Sequence, residues 1–420
     1  MSLKSKFSCY AIFSLSACFT LYTSASDEAA RRVLSVDQAL VLAVNTHPLI
    51  ASAKSQYSAA ISDLSASRWG RFPSVSAGSQ ESSSDVKQDS TTVTMPLWLG
   101  GKINADIDLA KSRRDGAFSG VAEAQQTVML ESVGSFFDYF KSEKKLLIAN
   151  QNVDEHQRLY EIIQRRVAAA TSPDVDTMLA LARLQYARSA QIQASSNRTI
   201  TKSSLELLVG QEVDSVQVTL VPEPLSMGIE GAVAAGIAVS PKLARVQFEA
   251  AGFDANIKSA RSALFPQVSL GYDYGKIQGG ERDGQLTEES YISVQFQPGA
   301  GLSVASSVSA AKQRKQSALD TLKAEKRELR RQIITAWNEY TSVSFQLEPT
   351  RMLVDATNSV VESYLRQYAV GKKSWLDVLN AQREATQARN TLVDYEVLYL
   401  TSLYRLRVLL NEINPNLLGV

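Results

Sequence analysis

The chain has 420 residues, of which 45% are apolar and 21% are charged, and its formal net charge is +1. Such a near-neutral balance gives no electrostatic reason to expect a nucleic acid partner. After the N-terminal segment, the sequence contains no run of about 18 apolar residues, so it predicts no membrane-spanning helix.

The N-terminal segment has the pattern of a secretory signal peptide over residues 1–25. Lys4 and Lys6 precede an apolar stretch from 7 to 21, and small residues lead to Ala25, after which cleavage is expected. Removal of the two lysines would bring the mature chain to a net charge near −1 (+1 − 2).

A lipoprotein signal is the alternative for this segment, because Leu15 to Cys18 also fits a lipidation box. The apolar residues that follow Cys18 favour simple cleavage after Ala25. Cys9 and Cys18 are the only cysteines of the chain. If the whole segment is removed, the mature protein therefore has no disulfide and no cysteine-ligated metal.

The rest of the chain reads as a tandem duplication, with residues 26–227 as the first structural repeat and 228–420 as the second. The two repeats match at an offset of 193 up to the first strand and at an offset of 201 beyond the second. The change in offset predicts that one hairpin loop is longer than its counterpart. Matching pairs include Ala39 and Ala232, Phe72-Pro73 and Phe265-Pro266, Gly100 and Gly301, Tyr139 and Tyr340, and Asp176 and Asp377.

Each repeat is predicted to begin with a helix and to continue into a β-hairpin. The opening helices cover about 35–70, with a bend where His47 precedes Pro48, and about 228–262. Two hairpins follow, at about 71–98 and at about 264–297. Their apolar residues alternate with small or polar ones, which is typical of half-buried strands, and polar loops are expected at 81–89 and 275–290. The clearest alternation is that of Val268, Leu270, Tyr272 and Tyr274, then Ile292, Val294 and Phe296.

The hairpins lead into unusually long helices. Residues 102–170 contain no proline and could form one helix of about 69 residues, about 100 Å long. The counterpart, 302–370, has the same length, and Pro349 is expected to kink it. Its heptad-spaced residues predict coiled-coil packing: Leu319, Leu322, Leu329, Ile333, Ala336, Tyr340, Val343 and Leu347.

Each repeat closes with a helix of about 35 residues, at about 174–209 and about 375–410. Two short helices placed end to end would match one long helix, which suggests a cylinder of continuous and broken rods. The remaining segments, 210–227 and 411–420, are expected to lie together where the short helices meet.

Four amphipathic strands per chain are too few for a membrane barrel, because lipid does not tolerate an open sheet edge. Small barrels start at about eight strands, and an open lumen needs more. The sequence therefore predicts that several copies pool their strands: two copies would give eight strands, and three would give twelve.

Two sequence motifs give the chain a resemblance to a known family. They are Pro96-Leu97-Trp98-Leu99-Gly100-Gly101 after the first hairpin, and the stretch from Tyr368 to Gln382, Tyr-Ala-Val-Gly-Lys-Lys-Ser-Trp-Leu-Asp-Val-Leu-Asn-Ala-Gln. Together with the duplication and the Phe-Pro pairs, they make the chain similar to the TolC family of outer-membrane channel proteins over nearly its whole mature length. The resemblance implies a mainly α fold with a small β part: an α-helical barrel plus a transmembrane β-barrel, with four strands per protomer and twelve in a trimer.

The resemblance also implies a passive duct with no cofactor or metal rather than an enzyme. It places the protein in the outer membrane of a Gram-negative bacterium, surrounded by lipid, with its helical part in the periplasm. The expected partners are two further copies, a periplasmic adaptor protein and an inner-membrane pump. The stretch from Gln297 to Ser303 resembles the type I secretion branch, which implies an ABC exporter and a large surface adhesin as cargo.

Two other functions remain open from the sequence. A multidrug or small-molecule efflux channel working with a proton-driven pump shares the same architecture. A periplasmic adaptor or structural coiled-coil protein would also carry long helices, but it would not need two matched pairs of amphipathic strands. A periplasmic enzyme is remote, because the chain contains no Gly-x-Ser-x-Gly, Cys-x-x-Cys or His-Glu-x-x-His motif.

The resemblance implies a gate at the periplasmic tip of the helices. Tyr368, Lys373 and Asp377 match positions of the family's closing network and acidic ring, and Asp176 matches an acidic partner in the first repeat. The second ring acid of the family falls on Asn380 here, which predicts a weaker ring. The alternatives are a helix-capping or solvated role for the two aspartates and a packing role for Tyr368.

Five aromatic residues near strand ends are candidates for the membrane interface, because Trp and Tyr prefer that depth. They are Trp69, Trp98, Tyr272, Tyr274 and Tyr291. Ordinary strand packing is the alternative. The two histidines, His47 and His156, have no spaced partner and are expected to be structural or surface residues.

Overall fold

The structure is a computed structural model that describes residues 33–81, 86–218, 225–279, 283–300 and 303–413. The expected signal peptide, with Cys9 and Cys18, lies outside the described residues. The helices are α1 Val36–Thr46, α2 Pro48–Trp69, α3 Lys102–Ala168, α4 Asp174–Val209, α5 Ile229–Val239, α6 Pro241–Ser262, α7 Ser303–Ala369 and α8 Trp375–Leu409. The strands are β1 Val33–Ser35, β2 Ser74–Glu81, β3 Lys87–Trp98, β4 Ser215–Gln217, β5 Gln267–Gln278 and β6 Leu286–Gln295.

Helices α3 and α7 are the two long rods of the molecule. Each has 67 residues, which corresponds to about 100 Å at the helical rise of ~1.5 Å per residue. Helix α7 continues through Pro349, although proline has no N–H to donate to the helix. The proline therefore does not divide the rod. Of the predicted heptad residues, Leu329, Ile333 and Ala336 are buried, which agrees with packing along this face.

The opening helix of each repeat is two helices rather than one, which confirms the bend expected at His47 in 35–70 and adds a break at Ser240 to the single helix expected at 228–262. The breaks fall at His47 and at Ser240, each followed by a proline that starts the next helix. A proline disfavours helical geometry in the residue before it, and both residues are extended, with ψ of 127° and 116°. His47 and Ser240 then cap the next helix, accepting hydrogen bonds from Leu49 N at 3.2 Å and Leu243 N at 3.4 Å.

The two hairpins form one antiparallel sheet in the order β2-β3-β5-β6. Strand β3 pairs with β5 over most of its length, so the first repeat is joined to the second in the middle of the sheet. The loops predicted at 81–89 and 275–290 were too long. In the first hairpin, β2 ends at Glu81 and β3 begins at Lys87; in the second, β5 ends at Gln278 and β6 begins at Leu286. The strands continue into these polar segments because they are paired by backbone hydrogen bonds, which do not depend on the polarity of the side chains.

A second, two-stranded sheet joins β1 and β4 in parallel, at the level where the short helices meet. No periodic pattern in the sequence marks these three-residue strands. The main hydrophobic cluster lies beside them and contains Phe136, Phe137, Val213 and Ile413. Segments 210–227 and 411–420 therefore share this core through their described residues, while 219–224 and 414–420 lie outside the described part of the chain.

Helix α3 packs against α2, α4, α6 and α8, and α7 packs against α5, α6 and α8. Helix α3 thus lies between its own closing helix α4 and two helices of the second repeat, whereas these partners of α7 belong to its own repeat. No helix in the described part of the chain combines the length and apolarity that a bilayer crossing requires.

Candidate functional site

The candidate gate residues lie where α3 turns into α4 and α7 turns into α8. The two turns are held together by a hydrophobic cluster, called the tip cluster here, to which all four helices contribute. Its buried members are Leu159, Ile163, Ala180, Tyr368, Trp375, Val378 and Leu379. Because this cluster joins the two helix pairs at their ends, a change in its packing would move one pair relative to the other.

Tyr368 is the residue around which the tip cluster is organised. Its side chain is only 7% exposed. The guanidinium carbon of Arg166 lies 4.6 Å from the centre of its ring, and the ring of Trp375 lies 5.5 Å away. The hydroxyl oxygens of Tyr368 and Ser172 are 3.5 Å apart. The tyrosine is therefore both a packing residue and a polar contact between the two turns.

Lys373 and Asp377 lie beside this cluster, in the α7–α8 turn. The Lys373 ammonium lies 4.4 Å from the ring centre of Tyr364. Asp377 completes a capping box: its carboxylate accepts hydrogen bonds from the Ser374 backbone N–H at 3.0 Å and the Ser374 hydroxyl at 2.8 Å. These hydrogen bonds, with the hydroxyl contributing most, and the Lys373 charge hold the pKa of Asp377 below its usual value. Asp377 is thus ionised at neutral pH and begins α8 firmly.

The remaining two predicted gate residues lie within the first two turns of α4 and α8. Asp176 lies in the first turn of α4, and Asn380 lies in α8, one turn after Asp377; both side chains are partly exposed. Neither aspartate is itself the N-cap residue, since Pro173 and Ser374 hold those positions. The structure therefore gives Asp377 a capping-box role and leaves Asp176 near a helix N-terminus, where a negative charge is favourable.

Sequence reasoning missed three members of this site: Arg166, Ser172 and Trp375. Ser172 could have been found, because the offset of 201 between the repeats makes it the counterpart of Lys373. Arg166 has Gln367 as its counterpart, so the repeat gives no signal for it. None of the residues described in the structure form a group of three or more histidine, cysteine or acidic side chains that could hold a metal.

Above the tip, polar contacts continue along the packing of α3 against α8. Arg389 donates to the Glu155 carboxylate at 3.1 Å, and Gln382 also donates to it. Further up, Lys141 and Lys145 form ion pairs of 2.7 and 2.8 Å with Asp394. Hydrogen bonds and ion pairs therefore add to the tip cluster in joining α3 to α8, each worth about 1 kcal/mol where water has access.

His156 lies next to these contacts and is only 8% exposed. Burial, and secondarily the positive charge of Arg183, lower its pKa from the ordinary value of 6.5. A histidine that is harder to protonate in the folded state contributes stability above its unfolded pKa, and that stability is lost as the pH falls through the folded pKa.

We therefore expect acid to lower the melting temperature of the wild-type protein more steeply than that of a His156→Gln variant between about pH 7 and about pH 5. The measurement is thermal unfolding of the two purified proteins across this range. Parallel curves for the two proteins would contradict the expectation.

The four-stranded sheet has two chemically different faces. Cross-strand partners share a face, and the register places Val93 beside Tyr272 and Leu270 beside Met95 and Ile292 on the apolar face. The opposite face carries small and hydroxyl-bearing residues: Ser76, Gly78, Thr92, Thr94, Ser269, Gly271 and Ser293. Both faces are largely exposed in the single chain.

The aromatic candidates separate on these two faces. Trp98, Tyr272 and Tyr274 lie on the apolar face, and Trp69, at the end of α2, is 67% exposed and packs on Phe72. Tyr291 pairs with Gly271 and so lies on the opposite, polar face. Its ring occupies the space that a side chain at position 271 would need, with ring atoms 2.4–2.7 Å from the place of a Cβ. Tyr291 therefore lies on the other face of the sheet from Trp98, Tyr272 and Tyr274.

Comparison with known proteins assigns this architecture to a family. The family model described as "Outer membrane efflux protein" matches residues 29–211 and again 236–412. Alkaline protease secretion protein AprF of Pseudomonas aeruginosa is 22% identical over 293 residues, which cover 67% of this chain and 61% of AprF. Cobalt-zinc-cadmium resistance protein CzcC of Cupriavidus metallidurans is 22% identical over 369 residues, 85% of each chain. The chain thus spans about three fifths of the length of AprF.

Solved structures show the same fold. The outer membrane protein VceC of Vibrio cholerae superposes with a TM-score of 0.77 at 14% identity, over 89% of this chain and 95% of VceC. The predicted TolC-like fold class, mainly α with a small β part, is therefore confirmed. The family is one of outer-membrane proteins rather than enzymes, which confirms the expected location, with the helical part in the periplasm. The chain belongs to the outer membrane efflux protein family.

Proposed function

We propose that the chain is one subunit of a homotrimeric outer-membrane duct that serves a tripartite export system. The observation that carries the proposal is the sheet: it has one apolar face, and β2 and β6 are its edge strands. An edge of unpaired N–H and C=O groups is not tolerated in lipid, and neither edge pairs with another described strand of the same chain. Other copies of the chain supply the missing partners.

The directions of the strands suit such closure. Neighbouring strands in the order β2-β3-β5-β6 are antiparallel throughout. The edge strand β6 of one copy can therefore pair with β2 of the next while keeping the alternation. Three copies with four strands each give twelve (3 × 4), an even number as expected for an antiparallel barrel. The apolar face then contacts lipid. Trp69 and Trp98 lie at its margin towards the helices, whereas Tyr272 and Tyr274 lie in the middle part of β5.

The helices extend the duct into the periplasm. Rods of about 100 Å are far longer than a compact domain of this size needs, and they end at the tip cluster. The proposed partners there are a periplasmic adaptor protein and an inner-membrane transporter. The two matches of the family model support the division into structural repeats at 26–227 and 228–420, with residues 1–25 as a signal peptide cleaved after Ala25 or lipidated at Cys18.

For the cargo, we propose a secreted protein, a large surface adhesin, delivered by an ABC exporter. The similarity to AprF, a protease secretion protein, supports the class of protein secretion. The alternative is efflux of small molecules or ions with a proton-driven pump, and the longer match to CzcC, a metal resistance protein, favours it. Deleting the gene distinguishes the two: loss of one protein from the cell surface supports secretion, whereas increased sensitivity to toxic compounds supports efflux.

Assembly is tested by extraction and reconstitution. The protein should fractionate with outer membranes, run as a detergent-resistant oligomer until heated, and form channels in planar bilayers. A water-soluble monomer would contradict the duct.

Within the duct, Tyr368, Lys373, Asp377, Asp176 and Asn380 form the proposed periplasmic gate. Tyr368→Phe combined with Lys373→Ser removes the hydroxyl contact to Ser172 and the charge beside Tyr364, and the single-channel conductance should rise. Each of these polar interactions is worth about 1 kcal/mol, so its removal shifts the equilibrium between closed and open tips about fivefold. The control carries the same chemical changes at the exposed residues Tyr186 and Lys372. Equal conductance of the two double variants would remove this pair from the gate.

A further inference from the structure

The guanidinium group of Arg166 lies beside the tip cluster, in contact with Tyr368. We propose that Arg166, in the last turn of α3, is the positioning residue that holds Tyr368 in the closed arrangement. The inference deepens the proposed gate and rests on it.

The contact between the two residues has two parts. The guanidinium carbon of Arg166 lies 4.6 Å from the centre of the Tyr368 ring, within the distance for a cation–π interaction. In addition, its Nη1 donates a hydrogen bond of 3.3 Å to the backbone oxygen of Tyr368. That oxygen belongs to the last turn of α7, where it also accepts a hydrogen bond of 3.1 Å from the Gly371 N–H, and carbonyl groups at a helix C-terminus attract positive charge. Arg166 therefore fixes both the ring and the backbone of the tyrosine.

Arg166 and Ser172 are the two polar residues of the tip that contact Tyr368 from the other repeat. The contacts of Lys373 with Tyr364 and of Ser374 with Asp377 lie within the pair α7 and α8. Arg166 comes from α3, so its contact with Tyr368 crosses from the first repeat to the second. Separation of the two helix pairs must break a crossing contact, whereas contacts within one pair can survive it.

The contact is also weak enough to be broken in use. The Nε atom of Arg166 is buried without a hydrogen-bond partner among the described residues. A buried donor without a partner destabilises the arrangement that buries it. The ring and the carbonyl therefore stabilise the closed tip while the buried Nε destabilises it, so the closed state is favoured only modestly. Exposure to water on opening would satisfy Nε.

The experiment uses the purified oligomer in planar bilayers and measures the ratio of open to closed time. Arg166→Gln should raise this ratio about tenfold, the size expected for one partly desolvated cation–π contact. Arg166→Lys keeps the charge but not the planar group that stacks on a ring, and its effect should be intermediate. Arg165→Gln is the matched control, because it makes the same change at an exposed neighbour, and it should leave the ratio unchanged.

Two further measurements separate positioning from general destabilisation. The melting temperature of the trimer should be similar for Arg166→Gln and Arg165→Gln. Arg166→Gln should have a smaller effect in a Tyr368→Leu background, because the ring contact is already gone and only the hydrogen bond to the backbone oxygen of residue 368 remains to be lost. If Tyr368→Leu raises the open ratio and Arg166→Gln does not, the inference about Arg166 is wrong while the gate stands. If Tyr368→Leu itself changes nothing, the proposed gate fails and the inference fails with it.

Discussion

Replacement of Gly100 by alanine should remove most of the heat-resistant oligomer from the outer membrane, whereas Gly101→Ala should leave much of it. Both glycines join β3 to α3, and both have left-handed backbone angles, with φ of 62° and 87°. Alanine in this region costs about 1–2 kcal/mol at either position. The two substitutions therefore share one penalty and differ in their surroundings.

The difference lies in the space around the new methyl group. A Cβ at Gly100 would lie 2.5 Å from the backbone oxygen of Ser262 and 3.0 Å from the Cβ of Phe265, whereas a Cβ at Gly101 meets no atom within 4 Å. A backbone oxygen cannot rotate away as a side chain can, so the chain itself must shift. Overpacking of this kind adds about 1–3 kcal/mol. At this point the start of α3 rests against the end of α6, so the shift would disturb the junction of the sheet with the helices.

The comparison is made on outer-membrane yield of unheated oligomer and on its melting temperature. Gly100→Ala should have a melting temperature about 1–3 °C below that of Gly101→Ala, since an unfolding entropy of ~2.1 cal/mol/K per residue makes ~1 kcal/mol correspond to about 1 °C for a chain of this length. Equal reductions for the two variants would show that backbone strain alone decides the outcome and that the approach to Ser262 does not matter.

The sequence predicted those parts of the fold that depend on local periodicity. Segment 102–170 lacks proline and became α3, and the alternation at Val268, Leu270 and Tyr272 became β5. In β6, the alternation of Ile292 and Val294 also predicts that the neighbouring Tyr291 lies on the opposite face of the strand. Selecting aromatic residues without regard to strand face grouped Tyr291 with residues of the other face.

The contacts of the tip could not be predicted in the same way. Arg166 and Tyr368 are 202 positions apart, and their contact depends on how two helix turns from different repeats meet in space. The strands β1 and β4 are also joined over a long stretch of chain, and three residues are too few for a periodic pattern. Where a local signal existed, as in the capping residues His47 and Ser374, side-chain chemistry and chain position together would have been enough.

The orientation of the sheet in the barrel has a measurable consequence for ion selectivity. On the polar face, the described strand residues that carry a charge are Asp273 and Glu289, which are cross-strand partners. Like charges in this arrangement repel each other and are tolerated best in water. If the polar face lines the lumen, a trimer presents six carboxylates there (3 × 2), and no lysine or arginine of the described strands opposes them.

Neutralising this pair with Asp273→Asn and Glu289→Gln should therefore lower the preference of the channel for cations over anions, by about twofold or more at ~0.1 M salt, where charges act over ~10 Å. The effect should shrink at ~1 M salt, where that distance falls to ~3 Å. The matched control is Asp89→Asn with Glu288→Gln, which removes one aspartate and one glutamate from the opposite face. Reversal potentials across a salt gradient measure both. A change in the control pair and none in the first pair would mean that the apolar face lines the lumen, and the proposed barrel would be inside out.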